Sequence, residues 1–90
     1  MFIGARYKLN EDKGSKSMFG YKTIEIMERV LFRTRITTTK EDGKVVKIEC
    51  PEYLIYCMVD GNSDTAEIQE DEFGEEIMAG IYDYTGVYKH

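Results

Sequence analysis

The chain has few of the residues that mark secreted, metal-binding or histidine-dependent proteins. Its 90 residues include two cysteines, one proline, one histidine and no tryptophan. Two cysteines are too few for a disulfide framework or a four-cysteine zinc site, and His90 alone gives no histidine-based catalytic pair. No run approaches the roughly 18 apolar residues of a membrane-spanning helix, and residues 1–6 are too short for the apolar part of a signal peptide. These absences predict a cytoplasmic protein that is not an enzyme and holds no cofactor or metal.

Basic side chains are missing from most of the second half of the chain. Residues 1–47 carry 11 Lys or Arg against 6 Asp or Glu, a net charge of +5. Residues 48–90 carry 11 Asp or Glu against Lys89 alone, a net charge of −10. Such asymmetry indicates either a charged partner, or a basic and an acidic face that meet within one fold or between two copies.

The residues that are present favour a β-hairpin at the centre of the chain. Two β-branched runs, 30–39 and 45–50, flank Asp42-Gly43, and this pattern is the strongest short-range hairpin signal in a sequence. A third run, 53–59, contains no polar residue. We therefore expect a three-stranded antiparallel meander whose third strand is central, or has its outer face covered by another subunit.

The amino-terminal half is expected to add two more pieces. Residues 2–9 alternate as a strand, and the polar, glycine-containing residues 10–20 are predicted to form a mobile loop. A single strand over 21–39 would span about 60 Å at roughly 3.3 Å per residue, too long for a domain of this size. The segment must therefore bend, by a bulge near Glu28-Arg29 or by a switch from helix to strand.

The carboxyl-terminal third permits two interpretations. Apolar residues from Ala66 to Ile81 approximate a helical stripe, and Asp64 with Glu67 has the spacing of a capping box. The competing interpretation is a second hairpin with strands at 65–69 and 77–84. The predicted fold class is α+β, an antiparallel β-meander of four to five strands with one C-terminal helix, and the alternative is all-β. We expect a single domain over residues 1–90, with an extended tail at 82–90.

The central hairpin should have two different faces. Phe32, Thr34, Ile36 and Thr38 share one face, which we predict to be core. Arg33 and Arg35 share the other, about 7 Å apart, which is either an anion-facing ridge or a face paired with acids of the second half. Both cysteines stand in or beside apolar strands, so we predict two buried, reduced thiols. They are Cys50 and Cys57.

The charge distribution favours an interaction protein that docks a carboxylate-rich surface on a basic partner protein. A dense run of carboxylates imitates nucleic-acid phosphates, so this composition suits an inhibitor of a nucleic-acid-handling partner, and it is typical of phage-encoded host-interference proteins. The sequence pI near 4.8 argues against direct nucleic-acid binding. The expected partner-binding residues are Asp60, Asp64, Glu67, Glu70, Asp71, Glu72, Glu75 and Glu76.

The alternative function is that of a homo-oligomer that sequesters a nucleotide-like anion. Arg33 and Arg35 would hold the anion in a cleft between subunits, with Tyr7 or Tyr56 stacking on the base. A calcium loop starting at Asp60 is not expected, because Thr65 occupies the position that requires glycine.

Overall fold

The computed structural model describes residues 2–61 and 65–87 of the chain. These residues form one five-stranded sheet, and the prediction of an antiparallel α+β fold with one helix near the carboxyl end is confirmed. No helix in the two ranges is long and apolar enough to cross a membrane. In chain order the elements are β1 (Ala5–Leu9), a 3₁₀-helix (Gly14–Lys16), β2 (Thr23–Glu41), β3 (Lys44–Val59), β4 (Thr65–Gln69), α1 (Glu70–Met78) and β5 (Tyr82–Val87).

The strands are arranged in the order β4-β3-β2-β1-β5, and every neighbouring pair is antiparallel. The central strand is therefore β2, and the apolar run 53–59, expected at the centre, lies beside it in β3. Pairing between β1 and β5 brings residues from both ends of the chain to one edge. The segment 82–87, expected as part of an extended tail, is thus a strand of the sheet, and residues 88–90 lie outside the described ranges.

The hairpin of β2 and β3 is the longest feature of the molecule. Asp42 and Gly43 form its two-residue turn with φ of 50° and 78°, as a type I′ turn requires, so the predicted Asp-Gly turn is confirmed. Strand β2 runs for 19 residues with bulges at Met27 and Phe32. The bulge at Met27 lies next to Glu28-Arg29, where a bulge was one of the two predicted ways for the segment to bend. We expected that a strand of this length would be too long for the domain, and this is wrong. The distal part of β2 projects from the rest of the molecule, whose longest dimension is 52 Å.

We call the projecting part of this hairpin, residues 31–51, the arm, and the other described residues the body. Every arm residue is exposed. The predicted third strand of the meander does not begin after Pro51, because β3 continues through this proline to Val59. Proline is tolerated there because only one edge of β3 is paired at Pro51: β4 pairs only from Leu54 to Met58.

The hydrophobic core lies between α1 and one face of the sheet, which we call the covered face. Phe73 of α1 is fully buried and makes edge contacts with Tyr7 and Tyr82, with ring centroids 5.0 and 5.3 Å apart. Burial of aromatic and β-branched side chains supplies most of the stabilisation of a domain this small. The core residues are Ala5, Ile24, Ile26, Ile55, Cys57, Val59, Ile68, Phe73, Ile81 and Tyr82.

The arm contradicts the prediction that one hairpin face is core. Phe32 is 48% exposed and Ile36 is 61% exposed. Thr34 and Thr38 on the same face are exposed as well. Alternation is as predicted from Arg33 to Thr38, but the bulge at Phe32 interrupts it before Arg33. The body does not extend far enough to cover either face of the arm.

The loop between β1 and β2 is fastened by its own polar side chains. Asn10 accepts hydrogen bonds from the backbone N–H groups of Asp12 and Lys13, and Ser17 accepts one from that of Phe19. The Tyr82 hydroxyl donates to the backbone carbonyl of Tyr21 at 2.7 Å. These bonds connect the loop to the covered side of the sheet.

The region 65–81 combines the two interpretations of the sequence. Residues 65–69 form β4, as the hairpin interpretation required, but β4 pairs with β3. The helix then starts at Glu70, so a capping box at Asp64 and Glu67 is wrong: Glu67 lies in a strand and Asp64 is outside the described ranges. The helix ends in a Schellman motif, since the Gly80 N–H donates to the Ile77 carbonyl and the Ile81 N–H to that of Glu76.

Two glycines of this helix should respond to alanine in opposite directions. Gly74 lies inside α1, and a Cβ added there has no atom within 4 Å, so Gly74→Ala should raise the free energy of unfolding by about 0.5–1 kcal/mol. Gly80 has φ of +77°, so Gly80→Ala should lower it by about 1–2 kcal/mol. Urea denaturation of the two variants measures both changes, and a stability loss in Gly74→Ala would contradict the assigned helix.

Candidate functional site

The candidate site is the face of the sheet opposite α1, which we call the open face. Strand partners point to the same side, so the pairs of Tyr7 with Ile24 and of Ile24 with Val59 mark the covered face. Side chains one position along from them, such as Met58, point to the opposite side. Among the described residues the only α-helix packs on the covered face, so no helix shields the open one.

Strand β3 places an almost continuous line of apolar side chains on the open face. This line, which we call the apolar column, runs from the arm into the body. Its arm members are exposed, with Val46 at 37% and Ile48 at 45%, and its body members are half-buried. One charged residue, Glu52, interrupts the column between Cys50 and Leu54. The column consists of Val46, Ile48, Cys50, Leu54, Tyr56 and Met58.

Two arginines hold Glu52 where the arm meets the body. Arg33 Nε lies 2.6 Å from Glu52 Oε2, and Arg35 Nη2 lies 2.6 Å from Glu52 Oε1. The hydrogen bond from Arg33, together with the charges of both guanidinium groups, lowers the pKa of Glu52 below its usual 4.5. Two cations share one anion, so this cluster keeps a net charge of +1. The predicted arginine face exists, and it is paired with an acid of the second half.

Two acids border the body part of the apolar column. Glu28 and Glu67 are the strand partners of Tyr56 on either side, and both are exposed. The negative charge of Glu67, together with partial burial and Glu28, raises the pKa of Tyr56 above 10.0. The open face therefore changes sign along its length, from the basic cluster on the arm side to the acidic border on the body.

A groove of about 500 Å³ continues the open face beyond Met58. Arg6 and the buried Glu25 form an ion pair on its wall, with 2.7 Å between Arg6 Nε and Glu25 Oε1. The groove also touches Thr23 and Gly61. Lys8 lines it as well. The described ranges contain no group of three His, Cys, Asp or Glu residues that could hold a metal ion.

Of the four residues expected to bind an anion, the structure brings three to one face and places the fourth on the other. Arg33, Arg35 and Tyr56 lie on the open face, but Tyr7 lies on the covered face, 5.7 Å from the ring of Tyr84. Burial, with help from the charges of Tyr84 and Glu70, raises the pKa of Tyr7. An aromatic ring in that position cannot stack on a ligand held by the arm arginines.

Arg29 connects the base of the arm to the helix, and the sequence did not predict this contact. It lies over the ring of Tyr53, with 3.5 Å from Cζ to the ring centroid, and donates hydrogen bonds from Nε and Nη2 to the Glu70 carboxylate. The hydrogen bond from Arg29 lowers the pKa of Glu70. Because these residues are distant in sequence, only their charge signs hinted at the pairing.

The eight carboxylates expected to bind a partner do not form one surface. Asp60 accepts hydrogen bonds from the backbone N–H groups of Lys22 and Thr23, Glu70 pairs with Arg29, and Glu67 lies on the open face, away from α1. Asp64 lies outside the described residues. These acids are therefore separated by position or already have a structural role.

The four remaining carboxylates are on α1 and differ among themselves. Glu76 is 5% exposed, and neither of its side-chain oxygens has a hydrogen-bond partner in the described part of the chain. Asp71, Glu72 and Glu75 reach the helix surface, and residues 2–61 and 65–87 provide no ion pair for them. The available acidic surface is reduced to these three.

The cysteines divide between arm and body. Cys57 is buried in the core, and burial raises the pKa of its thiol to about 12, as expected for an inert structural cysteine. The prediction that Cys50 is buried is wrong. Its strand is apolar, but it projects beyond the body, so the thiol lies on the exposed open face of the arm.

The Glu52 cluster should make stability depend on pH in the acid range. A carboxyl group with a lower pKa in the folded state than in the unfolded state stabilises the fold at pH values above its unfolded-state pKa. This stabilisation is lost as the pH falls through the folded-state pKa. The free energy of unfolding of Glu52→Gln should therefore decrease less than that of wild type between about pH 5 and pH 3. Urea midpoints across this range measure the slope, and Glu49→Gln, an exposed arm residue on the other face, serves as the control. Equal slopes in wild type and Glu52→Gln would contradict the assigned cluster.

Neither the protein-family models, nor the curated proteins, nor the solved structures give a significant match to this chain.

Proposed function

We propose that the protein is a non-enzymatic, cytoplasmic interaction protein that binds another protein chain through the open face of its sheet and arm. The observation that carries this proposal is the apolar column, which runs from Val46 to Met58 on a face that no helix of the described residues covers. Exposed apolar surface of this extent marks interaction sites in soluble proteins. One thiol at an open surface, Cys50, also suits a reducing compartment.

The low stability expected of an isolated hairpin also supports a partner that binds the arm. A two-stranded hairpin on its own is marginally stable in water. Here it projects from the body with Leu31, Ile36, Val45 and Ile48 each at least 45% exposed. A partner that covers one face of the arm removes this surface from water and holds the two strands in place.

Two matched isoleucines on the arm test the proposal. Ile48 lies on the open face and Ile36 on the opposite face, at neighbouring positions of the same hairpin. Ile48→Asp should release the tagged protein from its native complex, because a carboxylate would enter the apolar contact. Ile36→Asp should leave the complex intact. Size-exclusion chromatography of cleared lysate, with detection of the tag, measures both.

The elution positions decide the outcome. Wild type and Ile36→Asp should elute as a complex larger than the 10.5 kDa chain, and Ile48→Asp should elute as the chain alone. The proposal fails if wild type elutes alone or if the two variants behave alike. Both residues are exposed, so circular dichroism should confirm an unchanged fold in each.

A second candidate function is the docking of α1 on a basic, nucleic-acid-handling partner protein, for which a carboxylate surface would imitate nucleic-acid phosphates. It is favoured by the absence of ion pairs to Asp71, Glu72 and Glu75 within the described ranges. Reversal of these three charges to lysine should abolish capture of such a partner from lysate. Reversal of Glu11, Asp12 and Glu41 changes the net charge equally at exposed sites elsewhere and should leave capture unchanged. Equal capture by both triple variants would exclude this candidate.

A further inference from the structure

We propose that the occupant of the open face is a second copy of this chain, packed open face to open face with the two β3 strands running in opposite directions. Each arm then lies over the body of the other copy. This inference rests on the proposed function, because it names the partner of the same surface. It goes further by assigning the contacts and the symmetry.

The charges of the open face are self-complementary. The arm end carries the cluster of Arg33 and Arg35 with Glu52, which has a net charge of +1. The body end carries Glu28 and Glu67, both exposed, beside Tyr56. Its basic residues, Arg6 and Lys8, lie opposite the acids Glu25 and Asp83, so the body end keeps a net negative charge. A partner of uniform charge would match only one end. A copy turned by 180° about an axis near Leu54 matches both, since each basic cluster then meets the partner's acidic border.

The same rotation matches the shapes of the two ends. Ile48 lies six residues before Leu54 on β3, and the groove beyond Met58 begins about as far on the other side. In the dimer, Ile48 and Val46 of each arm therefore point toward the groove of the partner. The groove volume of about 500 Å³ accommodates side chains of this size.

The area suits a small and weak dimer interface. The column extends for about 40 Å at 3.3 Å per residue, and the sheet along it is two strands of about 4.8 Å wide in the arm and three in the body, on the order of 10–14 Å. The flat contact is then roughly 500 Å², below the ~800 Å² that each partner buries in a standard interface and at the small end of specific interfaces. Two sheets packed in this way form a sandwich about 10 Å apart, with apolar side chains interleaved between them.

The opposite face of the arm is a poorer candidate for the same contact. Its apolar residues Ile36 and Val45 alternate with polar or charged ones such as Lys47 and Glu49. Toward the body that face is already covered by α1 and its core. Only the open face is continuous from the arm into the body.

Analytical ultracentrifugation of the purified chain tests the inference directly. Wild type should sediment with twice the 10.5 kDa mass at high micromolar concentration and should dissociate more readily as NaCl is raised. Glu28→Arg with Glu67→Arg should raise the dissociation constant at least about tenfold. Asp71→Arg with Glu75→Arg makes the same change of net charge on α1 and should leave the constant unchanged.

The results distinguish failure of the second-copy inference from failure of the proposed function. A purified wild-type monomer, or equal effects of the two charge reversals, would overturn the second-copy inference. If lysate complexes still depend on Ile48 in that case, the proposed function survives with a different protein as the partner. If Ile48→Asp has no effect in lysate either, both fail.

A distance between the arm tips tests the antiparallel arrangement. Glu41→Cys in a Cys50→Ser background gives one reactive thiol at each tip, because Glu41 is exposed beside the turn and Cys57 is buried. Rotation about an axis near Leu54 places the two tips roughly 70 Å apart, since each lies about 11 residues from the axis. A parallel arrangement would bring them within roughly 20 Å. Dipolar spectroscopy of spin-labelled, deuterated dimer should give the long distance, and a short one would overturn the arrangement.

Discussion

The backbone ladder between β2 and β3 is the constraint on which the rest of this molecule depends. It continues from Ile24 and Val59 in the body to Glu41 and Lys44 at the tip, far beyond the elements that flank it. Beyond the body the ladder has two strands only, so every side chain from 31 to 51 is exposed. The same ladder creates the apolar column on one face and brings Arg33 and Arg35 to Glu52. A two-stranded ladder of this kind is marginally stable on its own in water, so the arm is the least stabilised part of the described chain.

The opposite charges of the two halves of the chain partly neutralise each other through ion pairs within the fold. Arg29 pairs with Glu70, and Arg33 and Arg35 pair with Glu52, so basic residues of the first half meet acids of the second. Pairing of this kind removes much of the single acidic surface that the sequence indicates. The charge that remains is distributed by face: acids on α1 occupy the covered side, and Glu28 and Glu67 border the open side. The covered side and the open side of the sheet therefore present different arrangements of charge to any binding partner.

The sequence predicts local features well because their causes are local. The Asp42-Gly43 turn and the alternation from Arg33 to Thr38 both follow from residues within a few positions of one another. Burial could not be predicted, because it depends on where the body ends. Ile36 and Cys50 have core-like neighbours in sequence but lie on the arm. The helix start was misplaced for a similar reason: pairing with β3 draws residues 65–69 into a strand, and this overrides the capping pattern of Asp64 and Glu67.

Amide hydrogen exchange of the arm shows whether a second chain covers the open face. If it does, the backbone amides of Val46 and Ile48 should exchange slowly at high protein concentration and faster on dilution, because the lone arm opens readily. Exchange that is fast at every concentration would contradict a covered arm. Exchange that is slow in a proven monomer would show that the arm needs no partner.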